Sequence, residues 1–98
     1  MLVHSVYFWL KPDVSPAQRA EFVAALERLR TVPMTAFYLG RPAPVAARPV
    51  VDASFDYAIT CVFADVAAHD AYQAHPEHLA FVALGKTLWT RVQIYDAA

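Results

Sequence analysis

The opening segment, Leu2 to Lys11, alternates in period two, and both of its faces are apolar or aromatic. One face consists of Leu2, His4, Val6, Phe8 and Leu10, and the other of Val3, Ser5, Tyr7 and Trp9. This alternation predicts a β-strand, and apolar groups on both faces predict a strand that is covered on both sides. Any fold of this chain must therefore place a layer of structure against each face of one sheet.

Two helical segments are predicted from residues that cap and break helices. Ser15 and Gln18 form a capping box for a helix that runs to about residue 31. Asp65 is the expected N-cap of the second helical segment. Pro76 interrupts this segment, a short helix resumes after it, and Gly85 is the expected stop.

Three further segments are predicted to be strands, and their order decides the fold class. They cover about Met34–Leu39, Phe55–Phe63 and Thr87–Tyr95, the last with Leu88, Thr90, Val92 and Ile94 opposite Trp89, Arg91, Gln93 and Tyr95. Residues 41–54 are proline-rich and predict a long loop that acts as a lid, a binding loop or an arm. The order βαββαβ predicts an α+β, ferredoxin-like domain with a four-stranded antiparallel sheet and two helices on one face.

The second face of this sheet has no helices to cover it. A second copy of the chain is the simplest cover, so we expect a homodimer that packs sheet to sheet. The 98 residues are expected to form a single domain, spanning 1–98. Their hydrophobic fraction of 58% and charged fraction of 17% exclude a disordered chain.

Charge and cysteine content narrow the class of function. A net charge of −1 gives no electrostatic basis for binding nucleic acid or an acidic membrane. The chain has neither an apolar run as long as a membrane span nor a signal-peptide pattern, so a cytoplasmic location is expected. Cys61, the only cysteine, excludes an internal disulfide and is expected to be a buried, inert thiol.

The segment Tyr72-Gln73-Ala74-His75-Pro76-Glu77-His78 contains two imidazoles and a phenol around a proline. His78 is predicted in the first turn of the resumed helix, where the positive end of the dipole lowers the pKa of an imidazole and favours a neutral base. Tyr72 would then polarise a carbonyl or relay the proton, and His4 would orient the carbonyl end. In the alternative interpretation, His75 and His78 cap helix ends and bond to the backbone, and Tyr72 fills the core. His4 is then a core or pocket-lining residue whose hydrogen bonds are satisfied.

Two other groups of polar residues could bind a ligand or an ion. Arg41 and Arg48 lie in the proline-rich loop, where they either clamp a carboxylate or remain solvated. A zinc ion bound by His4, His75 and His78 is disfavoured, because Pro76 disturbs the spacing and no carboxylate completes the set. We therefore expect no metal.

Together these features resemble the stress-responsive α/β barrel family, or Dabb family, over essentially the whole chain. The resemblance is carried by His4–Lys11, Ser54–Tyr57, the Tyr72-x-x-His75-Pro76-x-His78 motif and Ile94–Asp96. It implies a dimer in which two sheets form a barrel. The family includes the olivetolic acid cyclase-like polyketide cyclases, which close an aromatic ring by aldol condensation without a metal or an organic cofactor. The resemblance therefore implies that no cofactor is needed.

The resemblance to these cyclases implies site residues. Their pocket histidine of the first strand matches His4, and their catalytic tyrosine and histidine match Tyr72 and His78. Tyr57 stands where they have a further pocket histidine, which implies a different substrate. The expected substrate-binding residues are His75, Tyr57, Phe8 and Arg48.

Three functions fit the sequence. The first is a homodimer that binds a small hydrophobic, oxygenated molecule and acts as a cofactor-independent, polyketide-cyclase-like enzyme. The second is a non-catalytic, stress-associated or ligand-binding dimer. The third is a cofactor-free monooxygenase that acts on electron-rich aromatic molecules.

Overall fold

The strands of the chain form one antiparallel sheet with helices against one face, as seen in a computed structural model that describes residues 1–98. The elements are β1 (Leu2–Leu10), α1 (Pro16–Arg28), β2 (Ala36–Gly40), β3 (Tyr57–Phe63), α2 (Val66–Ala74), α3 (Pro76–Gly85) and β4 (Trp89–Ala97). A 3-10 turn, Leu29–Thr31, extends α1, and the strand order is β2-β3-β1-β4. The predicted ferredoxin-like α+β fold is confirmed.

The predicted helix starts are confirmed by their hydrogen bonds. The Gln18 backbone N–H donates to Ser15 Oγ at 3.1 Å, and the Ser15 N–H donates to Gln18 Oε1 at 2.9 Å. The Ala68 N–H donates to Asp65 Oδ1 at 2.8 Å at the start of α2. Each bond satisfies a backbone donor that the first turn of a helix leaves without a partner.

The hydrophobic core lies between the helices and one face of the sheet. On β1 and β3 every second residue is buried, which is the face turned toward the helices. Phe22 and Leu26 of α1 are fully buried against this face. Full burial of a large apolar side chain contributes about 1.5–3 kcal/mol, so this layer accounts for much of the stability of the fold.

The prediction for β4 is wrong at its start. Leu88 lies in the turn that ends α3, where its N–H donates to the Gly85 carbonyl at 2.8 Å. The β1–β4 register shifts between Trp9 and Leu10, so Trp89 pairs with Leu10 and one strand residue is extra. A bulge of this kind resets the alternation of the strand. Trp89 therefore packs in the core instead of lying on the outer face of the sheet.

Residues 54–56, at the end of the long loop, contact β1 on the face of the sheet opposite the helices. The Phe55 ring lies 5.1 Å from the Tyr7 ring, and Trp9 Nε1–H donates to Ser54 Oγ at 3.0 Å. The Leu10 N–H donates to the Asp56 carboxylate at 2.7 Å. The Asp56 N–H also donates to the Phe8 carbonyl at 2.8 Å, but the Leu10 N–H bonds a side chain instead of a backbone carbonyl. Regular pairing therefore stops there, and β3 begins at 57 and not at the predicted residue 55.

The remainder of the outer face carries no helical layer. Tyr38 and Tyr95 point from this face and are 66% and 61% exposed. An aromatic surface without a cover is typical of a face that another chain contacts. Separately, none of the helices has the length and apolar character needed to span a bilayer.

Cys61 is fully buried on β3, as predicted, and burial raises the pKa of its thiol to about 12. A thiol that remains protonated and inaccessible does not act as a nucleophile. We expect a thiol reagent to label the denatured chain rapidly and the folded chain at least about 100-fold more slowly, since reaction requires opening of the core. Equal rates in the two states would contradict this prediction.

Candidate functional site

A cavity of about 190 Å³ lies between the β1–β4 edge of the sheet and helices α2 and α3. It is lined by His4, Val6, Phe8, Ile59, Tyr72, Gln73, His78, Phe81, Val82, Trp89, Val92 and Ile94. Most of these residues are apolar. The polar side chains are His4 on β1, Tyr72 and Gln73 on α2, and His78 on α3. The wall of this one cavity brings together the three residues predicted to act jointly, His4, Tyr72 and His78.

The break between α2 and α3 positions His78. His75 is the N-cap of α3, and its Nδ1 accepts the backbone N–H of Glu77 at 3.1 Å. In a continuous helix this N–H would donate to the Gln73 carbonyl. The break leaves that carbonyl free, and His78 Nδ1 lies 3.1 Å from it. Since a carbonyl only accepts, Nδ1 carries the proton and Nε2 of His78 carries the lone pair.

The surroundings of His78 favour its neutral form. Burial lowers the pKa of His78, and it outweighs the hydrogen bond to the Gln73 carbonyl, which raises it. His4 and His69 lower it further, since each can carry positive charge. The pKa of His78 is therefore lowered, as predicted, but the leading cause is burial rather than the dipole of α3. A neutral imidazole with a lone pair on Nε2 is a competent general base.

Tyr72 supplies a hydrogen-bond donor beside this base. Its ring centroid lies 4.6 Å from that of His78, and the side chain is 2% exposed. Burial raises the pKa of Tyr72, and the adjacent Cys61 raises it further. The hydroxyl group therefore stays protonated over the physiological range. Its present partner is the Cys61 thiol, and it could donate to a carbonyl oxygen without ionising if its hydrogen turned from that thiol toward the cavity.

His4 is held in a fixed orientation by a carboxylate. It is 2% exposed, and its ring centroid lies 5.8 Å from that of Tyr72. His4 pairs with Asp96 across β1 and β4, and its Nδ1–H donates to Asp96 Oδ1 at 2.5 Å. Because that bond fixes the proton on Nδ1, the lone pair lies on Nε2 of His4.

Three residues around this site were not predicted. Asp96 fixes His4, Gln73 anchors His78, and the His69 ring lies 5.1 Å from the His4 ring. His69 precedes Tyr72 by three residues, so helical spacing could have placed it on the same face. No local pattern indicates that Asp96 reaches His4, because the two are 92 residues apart in the chain.

The other predicted site residues lie in different surroundings. Phe8 lines the cavity, whereas His75 caps α3 outside it. Tyr57 is buried with the Arg41 guanidinium over its ring at 5.7 Å, and it does not line the cavity. Arg48 is exposed in the long loop and lines no cavity.

Comparison with known proteins agrees with this architecture. A dimeric ferredoxin-like protein of unknown function from Thermobifida fusca has a TM-score of 0.81 at 22% identity, covering 99% of this chain and 89% of that chain. A hydroxynitrile lyase from Passiflora edulis has a TM-score of 0.80 at 18% identity, covering 98% and 90%. At these identities the likeness concerns the fold alone.

The family is decided by the match to a family model. A Dabb family protein with a ferredoxin-like fold from Mesorhizobium loti has a TM-score of 0.76 at 27% identity, covering 99% of this chain and 94% of that chain. No curated protein matches the chain significantly in sequence. The model of the stress-responsive A/B barrel domain, Dabb, matches residues 2–98. The chain therefore belongs to the stress-responsive α/β barrel (Dabb) family.

Proposed function

We propose that the chain forms a homodimer and binds a small hydrophobic, oxygenated molecule in the cavity. We further propose that it catalyses an aldol-type reaction there, as a polyketide-cyclase-like enzyme. One observation carries the proposal. A single apolar cavity presents the lone pair of a neutral imidazole, His78, beside the protonated hydroxyl of Tyr72. Such a pair can remove a proton and stabilise the resulting negative charge.

The size of the cavity limits the substrate. An apolar cavity of about 150 Å³ is known to hold benzene. The cavity of about 190 Å³ therefore accommodates one ring with short substituents. Its apolar wall favours the hydrocarbon part of the ligand, and its few polar groups fix the oxygen atoms.

The proposed steps assign one role to each polar side chain. His78 Nε2 takes a proton from the carbon beside a carbonyl, and the C–H electron pair forms an enolate. The Tyr72 hydroxyl donates to the enolate oxygen. His4, held by Asp96, accepts a hydrogen bond on Nε2 from a hydroxyl group of the substrate and so orients the end that carries the second carbonyl. The enolate carbon forms a bond to that carbonyl carbon, and the resulting alkoxide takes the proton back from His78. A positioned acid–base pair typically contributes about 10²–10⁴-fold in rate.

The homodimer is supported by the uncovered outer face. Tyr7, Trp9 and Tyr95 line a hollow there together with residues of the long loop and β4. The Arg91 guanidinium lies 4.2 Å from the Trp9 ring centroid and covers part of this surface. A relative from Thermobifida fusca is a dimeric protein of the same fold. A second copy would cover the aromatic groups that one chain leaves in water.

Ligand binding can be followed through Trp89, which lines the cavity, if the other tryptophan, Trp9, is replaced by Phe. In this background, we expect single-ring aryl ketones to change the Trp89 fluorescence and to exchange the protons beside the carbonyl for deuterium. His78→Ala is expected to lower the exchange rate by about 10²–10⁴-fold, the contribution of the lost base. Tyr72→Phe removes only the hydroxyl and should have a smaller effect.

Two matched variants separate catalysis from structure. His78→Asn can keep a donor for the Gln73 carbonyl but has no base at the position of Nε2. The catalytic role predicts that His78→Asn folds like the wild type and remains inactive. His75→Asn retains an N-cap and should be fully active. Equal activity of His78→Asn and the wild type would rule out His78 as the base.

Assays with other substrates test hydroxynitrile lyase activity, monooxygenase activity and non-catalytic ligand binding. A hydroxynitrile such as mandelonitrile is included as a substrate, because a Passiflora edulis protein of this fold is a hydroxynitrile lyase. Oxygen consumption with a quinol tests the monooxygenase. Binding without turnover of any of these molecules would favour a non-catalytic ligand-binding dimer.

A further inference from the structure

We propose that His4, His69 and Asp96 bind a divalent transition-metal ion at the edge of the cavity. The three side chains come from β1, α2 and β4, and each offers a donor atom within 4.8 Å of the other two. His4 is buried, His69 is partly buried and Asp96 is the most exposed. The set therefore has one donor fixed in the core and one at the surface, where an ion can enter.

The donor atoms decide the class of ion. Two imidazoles and one carboxylate suit zinc and the neighbouring late first-row ions, whereas calcium and magnesium require mostly oxygen ligands. Three protein ligands leave at least one coordination position open for water or a ligand oxygen. The set differs from the His4, His75 and His78 combination considered from the sequence, because His75 Nδ1 is already bonded to the Glu77 N–H.

The geometry requires only small side-chain movements. An ion with bonds of about 2.0–2.1 Å holds its donor atoms about 3.4 Å apart. The ion would replace the proton that His4 Nδ1 now donates to Asp96 Oδ1, so these two atoms would move apart from 2.5 Å, and His69 would move closer. The side chains of Asp96 and His69 are 43% and 17% exposed, which leaves room for both movements.

A second carboxylate prepares His69 to act as a ligand. His69 Nδ1 lies 3.1 Å from Asp70 Oδ1, and since a carboxylate accepts, this nitrogen carries the proton. The lone pair is then on Nε2, where the Gln73 amide, at 3.4 Å, is the present donor. Carboxylate–imidazole pairs of this kind orient metal ligands in many sites. The ion would replace Gln73 as the partner of Nε2.

The position of the ion bears on the cavity beside it. His4 lines the cavity and also belongs to the three ligands. A bound ion on Nδ1 would leave the proton of neutral His4 on Nε2, so this nitrogen would donate to a carbonyl oxygen instead of accepting a hydrogen bond from the substrate. Binding of the ion does not depend on the proposed reaction, and it is measured without a substrate.

The test is zinc binding by the full chain. We expect calorimetry to show one Zn²⁺ per chain and a rise in melting temperature when Zn²⁺ is added. Cobalt(II) should give the absorption bands of a low-coordinate site. His69→Leu and Asp96→Asn should each weaken zinc binding by more than about 100-fold, since loss of an outer partner alone costs about 10–100-fold. Asp70→Asn should fall within that smaller range.

His75→Asn serves as the matched control, because it removes a histidine that is not one of the three donors and keeps the N-cap of α3. It should bind zinc like the wild type. Circular dichroism verifies that each variant is folded, and Asp96→Asn, at an exposed position, is the variant least prone to misfold. The proposal is overturned if the wild type binds no zinc at micromolar concentration. It is also overturned if His69→Leu and Asp96→Asn bind as the wild type does, or if His75→Asn loses binding equally.

Discussion

Gly85→Ala is expected to destabilise the protein by about 2 kcal/mol or more, which lowers the melting temperature of a domain of this size by about 8–16 °C. A Cβ atom at Gly85 would lie 2.0 Å from Cζ3 of the Trp89 ring, far inside van der Waals contact. The ring contacts Phe8 and Phe81, with ring centroids at 5.7 and 5.8 Å, so a shift that makes room for the methyl group costs these contacts or closes part of the cavity. The helix-forming preference of alanine offsets about 1 kcal/mol of this cost.

Thermal melting measures the loss, and the fluorescence of Trp89 shows whether its ring has become exposed. Gly40→Ala is the matched control. A Cβ atom at Gly40 meets nothing within 4 Å, and neither glycine has a positive φ. Gly40→Ala should therefore leave the melting temperature nearly unchanged. Unchanged stability of Gly85→Ala would show that the Trp89 ring does not occupy this position.

Tyr95→Asp is expected to dissociate the proposed homodimer. The side chain is 61% exposed in the single chain and stands on the outer face of β4, next to Tyr7. Aspartate at that position should reduce the stability of a single chain only slightly, because the side chain stays in contact with water. In a sheet-to-sheet dimer, however, it becomes a buried, unpaired charge, at a cost of about 3–5 kcal/mol. The dissociation constant should then rise by about 10²–10⁴-fold.

Light scattering at micromolar concentration measures this effect. The wild type should give about twice the chain mass of 10.9 kDa, and Tyr95→Asp should give the mass of one chain. Leu79→Asp is the control, since Leu79 is 57% exposed on α3, on the opposite side of the sheet. It should remain dimeric. A monomeric wild type would exclude the homodimer.

Much of the fold was predictable because it depends on contacts between neighbours in sequence. The capping box of Ser15 and Gln18 requires only their spacing, and the helix break at Pro76 requires only the missing N–H. The short spacing between Tyr72 and His78 likewise predicts that these two polar side chains lie near one another, because both flank the same break. The strand boundaries were predicted less accurately. β4 begins only at Trp89, because Leu88 still belongs to the turn that follows α3.

The candidate site also combines features that local sequence predicts with features that depend on tertiary packing. His78 was predicted to be neutral, but the leading cause is its burial, which depends on how α3 packs against the sheet. Trp89 was placed on the wrong face, because a bulge cannot be seen in the sequence of a single strand. Tyr57 was expected at the site from the family resemblance, yet the packing of β3 leaves it outside the cavity.

The amino-acid sequence by itself determined the element order, the helix caps and a sheet with two apolar faces. These follow from residue spacing and local backbone chemistry, which act over a few residues. Only the tertiary structure decided that Asp96 meets His4 and that His69 lies beside them, since β1 and β4 pair residues 92 positions apart. The tertiary structure also decided the volume of the cavity. That volume depends on how closely α2 and α3 approach an edge strand, and no local pattern encodes this distance.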